Sequence, residues 1–215
     1  MVTQGGNISN IPLFVVFEGA DGVGKSTQIK HVEKELTRLG YKTVVSREPG
    51  GTPLGETIRA IVKENFDLYP WSEFYLIQGA RIEHIGKVIE PALRKGYIVL
   101  VDRFTPSSLV YQGVLRDIGV DEVLGAIEHS QPNLEPDLVL VLDAPEPIGA
   151  FSFSSSDSFE RDGLSSWREI RTTYIELSQR FGWTVIEADR DESHVTKDLI
   201  TAIINHLKTK MLLEQ

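Results

Sequence analysis

The chain has 215 residues, 41% of them apolar and 25% charged, a size and balance that suit one sizeable core rather than several domains. Its net charge of −9 argues against non-specific binding of nucleic acid. No run of 18 apolar residues marks a membrane span, and the absence of cysteine excludes disulfides and thiolate metal sites and fits a reducing, cytoplasmic setting.

Residues 1–12 have no basic start and no apolar segment, and read as a flexible leader rather than a signal peptide. LFVVFE (13–18) is a short apolar run that predicts a buried strand. A glycine-rich loop follows, after which Ile29, Val32, Leu36 and Leu39 recur at helical spacing and Gly40 supplies a cap. KTVVS (42–46) predicts a second strand, EPGGTP (48–53) is turn chemistry, and 54–64 is helical. A long helical pattern covers 72–95 and ends at Gly96. YIVLV (97–101) predicts a third strand that runs into Asp102 and Arg103. Helical patterns at 107–117 and 121–130 precede a fourth strand, LVLVLD (138–143). A helix over 162–181, a fifth strand over 184–188 and a helix over 193–210 complete the chain. Strands that are apolar throughout and alternate with helices predict a parallel α/β sheet covered on both faces. Ligands of such sheets sit at the carboxyl ends of the strands, so the loops after residues 18, 46 and 101 are expected to share one crevice.

Those loops carry the unusual residues. Gly19-Ala20-Asp21-Gly22-Val23-Gly24-Lys25-Ser26 fits GxxxxGK[ST] between a predicted strand and a predicted helix, with Thr27 next. The glycines let successive N–H groups aim at one anion, and the helix adds the positive end of its dipole. Lys25 can reach β- and γ-phosphates, and Ser26 can ligate Mg²⁺. A plain strand-to-helix turn would share the glycines but has no need of the lysine and hydroxyls. Asp102 could hold a metal-bound water and Arg103 could clamp a phosphate, although a surface ion pair would read the same way. Arg47-Glu48-Pro49-Gly50-Gly51-Thr52, taken alone, is a turn.

Together, FEGADGVGKSTQ, SREPGGTPLGETIR, GARIEH, VDRFTPSSLVYQG and PDLVLVLD, in that order from about residue 13 to 143, resemble the bacterial-type pattern of the thymidylate kinase family. A weaker echo, DSFERDG…R…Y.EL, continues to about residue 177. The resemblance implies a P-loop kinase three-layer sandwich with a five-stranded parallel sheet. It implies one domain over 13–210 with a lid at about 145–162. It also implies phosphoryl transfer from ATP to dTMP with Mg²⁺, and a homodimer. Carried across, Lys25 and the loop residues Gly19 to Thr27 hold the donor phosphates, and Asp21 faces the acceptor sugar. Arg103 grips the acceptor phosphate with Asp102 beside the metal, and Glu48 approaches acceptor and metal. Arg59, Arg81, Ser108 and Gln112 surround the base, and Tyr111 lies under the deoxyribose and disfavours a 2′-hydroxyl.

The chain departs from the family pattern twice. The family usually places arginines in the lid, or one in the P-loop, to stabilise transition-state charge. Here the loop has none, and the lid reads PEPIGAFSFSSSDSFERD, with Asp157-Ser158-Phe159-Glu160 where Asp-Arg-Phe-Glu is usual. Arg161 is the expected substitute, with Arg168 and Arg171 further along the helix; such an arginine is worth several orders of magnitude in rate. The second departure is Ile77, where the family has a phenylalanine that stacks on thymine; Phe74 could compensate or could be ordinary core. Three readings therefore stand: a dTMP kinase, a kinase for another nucleoside monophosphate, and a nucleotide-binding relative with weak or no transfer. A switch GTPase is disfavoured, because no Asn-Lys-x-Asp segment reads guanine. The five histidines lack metal-ligand spacing, and His84 reads as structural. FSFSSSDSF is either a mobile lid or a serine-rich loop without function.

Overall fold

The computed structural model describes residues 11–64, 67–148 and 164–213. The strands are β1 (Leu13–Glu18), β2 (Thr43–Arg47), β3 (Ile98–Asp102), β4 (Leu138–Asp143) and β5 (Thr184–Glu187). They form one five-stranded parallel sheet in the order β2-β3-β1-β4-β5. The helices are α1 (Lys25–Arg38), α2 (Pro53–Glu64), α3 (Pro70–His84), α4 (Glu90–Leu93), α5 (Thr105–Ser108), α6 (Val120–Ser130), α7 (Leu164–Phe181) and α8 (Glu192–Leu213). Among the described residues no helix is long and apolar enough to cross a membrane.

All six residues of β1 are buried, which is why its sequence shows no polar alternation. Leu13, Val15 and Phe17 face a cluster with Ile29, Val32 and Leu36 of α1 and Val195, Leu199 and Ile203 of α8. Phe14 and Val16 face a second cluster with Ile85, Ile89, Ala92, Val99, Val101 and Phe104. Each large side chain buried this way contributes roughly 1.5–3 kcal/mol. The two clusters clamp β1 at the centre of a three-layer α/β sandwich.

Register then places the site. Phe17 and Arg47 both pair with Asp102, so β1, β2 and β3 end level with one another. The chain leaves β1 toward β2 and leaves β3 toward β4, in opposite directions along the sheet. The crevice between the ends of β1 and β3 is the topological switch point where such sheets bind ligands.

The long helix expected over 72–95 starts at Pro70, and Ile85–Ile89 within it is π-helical. Pro91 explains this: it has no N–H to return to Lys87, and the bond from Glu90 N–H reaches back to Ile85 instead. The helix expected over 107–117 starts at Thr105, and Leu109–Leu115 is π-helical. Gly40 ends α1 as expected: its N–H bonds Thr37 O and that of Tyr41 bonds Leu36 O, both at 3.0 Å. Of the expected leader, only Ile11 and Pro12 are described. Of the expected lid, the described residues include 145–148, and Arg161 lies outside them.

Candidate active site

The loop after β1 closes on itself through Lys25. Its ammonium donates to Gly19 O and Ala20 O, both at 2.8 Å, and lies 3.6 Å from Asp21. Gly19, Gly22 and Gly24 have φ of 129°, 81° and 86°. Gly19 is further restricted, since a Cβ there would stand 2.4 Å from Leu142 O of β4. The first intrahelical bond of α1 runs from Gln28 N–H to Gly24 O, so the N–H groups of residues 25–27 form the open start of the helix. That end carries the positive pole of the dipole and favours an anion.

A cleft of about 260 Å³ opens above this loop, lined by Asp21, Gly22, Gly24, Lys25, Ser26, Thr27, Arg47, Glu48, Arg59, Asp102 and Arg103. Four cations and three carboxylates therefore face one small space. Burial and then Arg103 push the Lys25 ammonium below its ordinary pKa. Burial and then Arg47 do the same to Arg59. Cations that destabilise one another in this way are relieved by a bound anion. Burial would raise the Asp21 carboxyl, but Arg103 and then Lys25 outweigh it and hold the group well below the usual carboxylate range.

Ser26 Oγ donates to Asp102 Oδ2 at 3.0 Å, joining the start of α1 to the end of β3. Arg103 follows in the left-handed region, at φ 69°, with its N–H bonded to Phe17 O at 2.9 Å. Its NH2 group donates to Asp21 at 2.6 Å, and its NH1 group to Ser107 Oγ at 3.1 Å and Tyr174 OH at 2.9 Å. The Tyr111 ring lies 5.1 Å from the guanidinium carbon. Behind it the wholly buried Glu18 accepts from Phe104 N–H, Ser107 N–H, Ser107 Oγ and Tyr174 OH, at 2.8, 3.2, 2.7 and 2.8 Å.

The loop after β2 is fixed from beneath. Glu48 is 3% exposed; its Oε2 accepts Arg81 Nε at 2.7 Å and its Oε1 lies 2.9 Å from His84 Nδ1. His84 in turn lies 2.6 Å from Ser46 Oγ through Nε2. Arg81 also donates to Gln78 Oε1, Phe104 O and Ser108 Oγ, at 2.9, 3.2 and 3.0 Å. Gln112 donates to the buried Glu73 at 2.7 Å. Arg59 reaches the same loop at Pro49 O, 3.2 Å away.

The structure thus brings Gly19 to Thr27, Glu48, Arg59, Asp102 and Arg103 to one place, with Tyr111 against Arg103. Arg81, Ser108 and Gln112 stand behind it in a buried network, and Ile77 is 8% exposed on the same helix as Arg81. Phe74 is wholly buried in the main core, with the edges of Trp71 and Tyr75 against it, and is core rather than a stacking surface. Sequence reasoning assigned no role to Arg47, Glu18, Ser107, Tyr174 or Trp167, whose Nε1 donates to Asp21 O at 2.6 Å. Arg47 stood inside a quoted motif, and Glu18 is a carboxylate closing an otherwise apolar strand, so both carried a signal. Tyr174 is the tyrosine of the weaker family echo that ends near residue 177, whereas Trp167 sits in an ordinary helical pattern and carried no signal. A larger cavity, about 620 Å³, lies among α6, residues 131–137 and Phe181 to Thr184, and none of the glycine-loop residues lines it.

A central parallel strand, a glycine loop closed by a lysine, and an anion-seeking cleft at the switch point define a P-loop α/β protein. Comparison with known proteins narrows this class. The thymidylate kinase family profile matches residues 17–199. The chain is 42% identical to a thymidylate kinase of Pelotomaculum thermopropionicum over 197 residues, covering 88% of this chain and 91% of that one. It is 35% identical to a thymidylate kinase of Thermosipho africanus over 201 residues, covering 92% and 100%. The crystal structure of thymidylate kinase from Ehrlichia chaffeensis superimposes with a TM-score of 0.74 at 26% identity, covering 90% of this chain and 98% of that chain. The chain belongs to the thymidylate kinase family.

Proposed function

We propose that the protein transfers the γ-phosphoryl group of ATP to dTMP, giving dTDP. One observation carries the reading: Arg103, at the end of β3, is bonded at 2.6 Å to Asp21 of the glycine loop, so the donor and acceptor grips are one assembly. Lys25 and the open N–H groups of α1 hold the donor phosphates. Arg103, with Arg47 and Arg59 beside it in the cleft, takes the acceptor phosphate. Positioning and charge neutralisation are most of what such a transfer asks of a protein. Tyr111, packed against Arg103, closes the sugar side, and Arg81, Ser108 and Gln112 form the wall on the base side.

Ser26 and Asp102 are the residues that would hold Mg²⁺. Their hard oxygens, already 3.0 Å apart, suit that ion. When bound, Mg²⁺ neutralises charge on the donor oxygens. Both oxygens of Glu48 are bonded to Arg81 and His84, so this reading makes Glu48 a support for the acceptor side rather than a metal ligand.

The second reading, a kinase with another or a wider acceptor range, is favoured by one feature. Ile77 offers an aliphatic side chain where the family pattern has an aromatic one, and Phe74 does not replace it. The homodimer and the cytoplasmic setting belong to the same proposal. Tyr75 and Ile82, 56% and 37% exposed and seven residues apart on α3, present an apolar face suited to a second copy. A solution mass equal to one chain would overturn the dimer.

The test is ADP release from ATP and Mg²⁺ with dTMP, dUMP, dCMP, dGMP and UMP offered separately. Turnover with dTMP above all others is the expected result. Faster turnover with another acceptor would transfer the assignment to the second reading. ATP binding without turnover on any acceptor would overturn the kinase assignment.

A further inference from the structure

Arg103 is an unusual residue to entrust with a phosphate. It is a non-glycine residue at φ 69°, in a region the backbone disfavours. Its side chain is held by contacts from outside the turn. Asp21 takes NH2, but Asp21 belongs to the loop that grips the donor and is 43% exposed. The buried anchor is on the other side, where NH1 meets two hydroxyls, those of Ser107 and Tyr174.

A hydroxyl has one proton and two lone pairs, and it is a dependable acceptor only when its proton has somewhere to go. Both protons go to the same atom here. Ser107 Oγ donates to Glu18 Oε2 at 2.7 Å, and Tyr174 OH donates to it at 2.8 Å. The other oxygen of Glu18 is fixed by the N–H groups of Phe104 and Ser107. The two hydroxyls also lie 2.9 Å apart, where either could donate to the other; drawn instead to the wholly buried carboxylate, both protons leave lone pairs facing NH1. Chains of this kind also polarise, so each bond strengthens the next. Burial and then Glu18 raise the Tyr174 phenol well above its ordinary pKa, which keeps its proton in place.

We propose that Tyr174 is a positioning residue for Arg103, orienting the guanidinium for the acceptor's 5′-phosphate through its hydroxyl and Glu18. The proposal rests on the functional reading above. It adds that α7, remote in sequence from β3, determines how well the acceptor phosphate is gripped. An ordinary core tyrosine would act through its ring, which is 1% exposed and packed in the main core.

Tyr174→Phe keeps the ring and removes only the hydroxyl. Calorimetric binding of dTMP and of thymidine, which lacks the phosphate, isolates the phosphate increment. The variant is expected to lose about tenfold of the preference for dTMP over thymidine, the scale of one hydrogen bond to a charged group. Thymidine affinity and the KM for ATP stay at their wild-type values. An unchanged preference, or equal losses for both ligands, would overturn the proposal. If Tyr174→Phe does not fold, Ser107→Ala removes the companion acceptor of NH1 and is expected to show the same selective loss; an unchanged preference there would likewise overturn it. A wild-type protein that binds thymidine as tightly as dTMP would overturn the functional reading itself, and that outcome is visible before any variant is made.

Discussion

Replacing Arg81 with methionine tests how the acceptor side is held up. Arg81 is 1% exposed and Glu48 is 3% exposed, so their 2.7 Å ion pair is out of water. Methionine keeps much of the buried stem but removes all four hydrogen bonds of the guanidinium, to Glu48, Gln78, Phe104 O and Ser108. Glu48 would keep His84 on one oxygen and have lost its partner on the other. Breaking a buried pair from one side costs about 3–5 kcal/mol, mostly the cost of the charge left behind. Against a domain stability of about 5–15 kcal/mol, that is a large fraction. Urea unfolding at constant slope would read it as a lower midpoint. The double variant Arg81→Met/Glu48→Gln removes the stranded charge and should recover at least about 1 kcal/mol of the loss. A single variant within about 1 kcal/mol of wild type would refute the claim that this pair is buried and coupled. So would a double variant whose loss is the sum of the two single losses.

Lys25→Ala should abolish transfer while leaving the thermal melt cooperative; wild-type turnover would remove the glycine loop from the reaction. Gly19→Ala places a Cβ 2.4 Å from Leu142 O at φ 129°, and should cost at least about 2 kcal/mol of stability and tenfold in ATP affinity; unfolding titrations and ATP binding check both. The Asp21 carboxyl is held down by Arg103 and Lys25 against burial, so its contribution is present above the unfolded value of about 3.9 and is lost as pH falls below it. Asp21→Asn should flatten the fall of stability below about pH 4 in thermal melts. Glu18, raised by burial, has the opposite sign and cannot produce that fall.

The fold was legible because its signals are local. Five apolar runs bounded by turns became five strands within a residue or two; β1, β3 and β4 are largely buried and so show no polar alternation, while β2 and β5, half-exposed at the sheet edges, were marked by their β-branched residues and flanking turns. The glycine loop was legible for a similar reason: GxxxxGK[ST] constrains backbone, charge and hydroxyl in eight consecutive positions. What escaped was set by tertiary contact. Nothing in the helical pattern around Tyr174 distinguishes a hydroxyl bonded to Glu18 from one in water. For Arg81 and Gln112, expected around a base, the sequence did not show the bonds that hold them, to the buried glutamates Glu48 and Glu73. The π-helical turns were also hidden, although Pro91 marked the first of them. His84 was read as structural, and its place between Ser46 and Glu48 gives that word content: it ties β2 to the loop that follows.

In the segment expected to form the lid, 145–162, the only arginine is Arg161, so on the proposed reading the transition-state charge is met largely from elsewhere, and α7 limits the choices. Arg171 is committed, with Nε and NH2 bonded to the two oxygens of Asp143 at 2.6 and 2.9 Å. Arg168 is not. It is 59% exposed, and its ion pair with Glu146 spans 3.7 Å with the partner 68% exposed, an arrangement worth little in water. Trp167, the residue before it, donates to Asp21 O at 2.6 Å and so pins this turn of α7 against the glycine loop. A long, loosely held cation beside an anchored turn can swing toward the donor without breaking anything of value. Arg168→Ala should therefore lower kcat at least tenfold with dTMP affinity unchanged, the signature of an interaction made mainly in the transition state. Arg171→Ala should instead lower stability, since it releases Asp143. If Arg168→Ala leaves kcat intact, the loss must appear in Arg161→Ala. Unchanged turnover in both would mean that transfer proceeds here without a mobile arginine, and the inference from charge would fail.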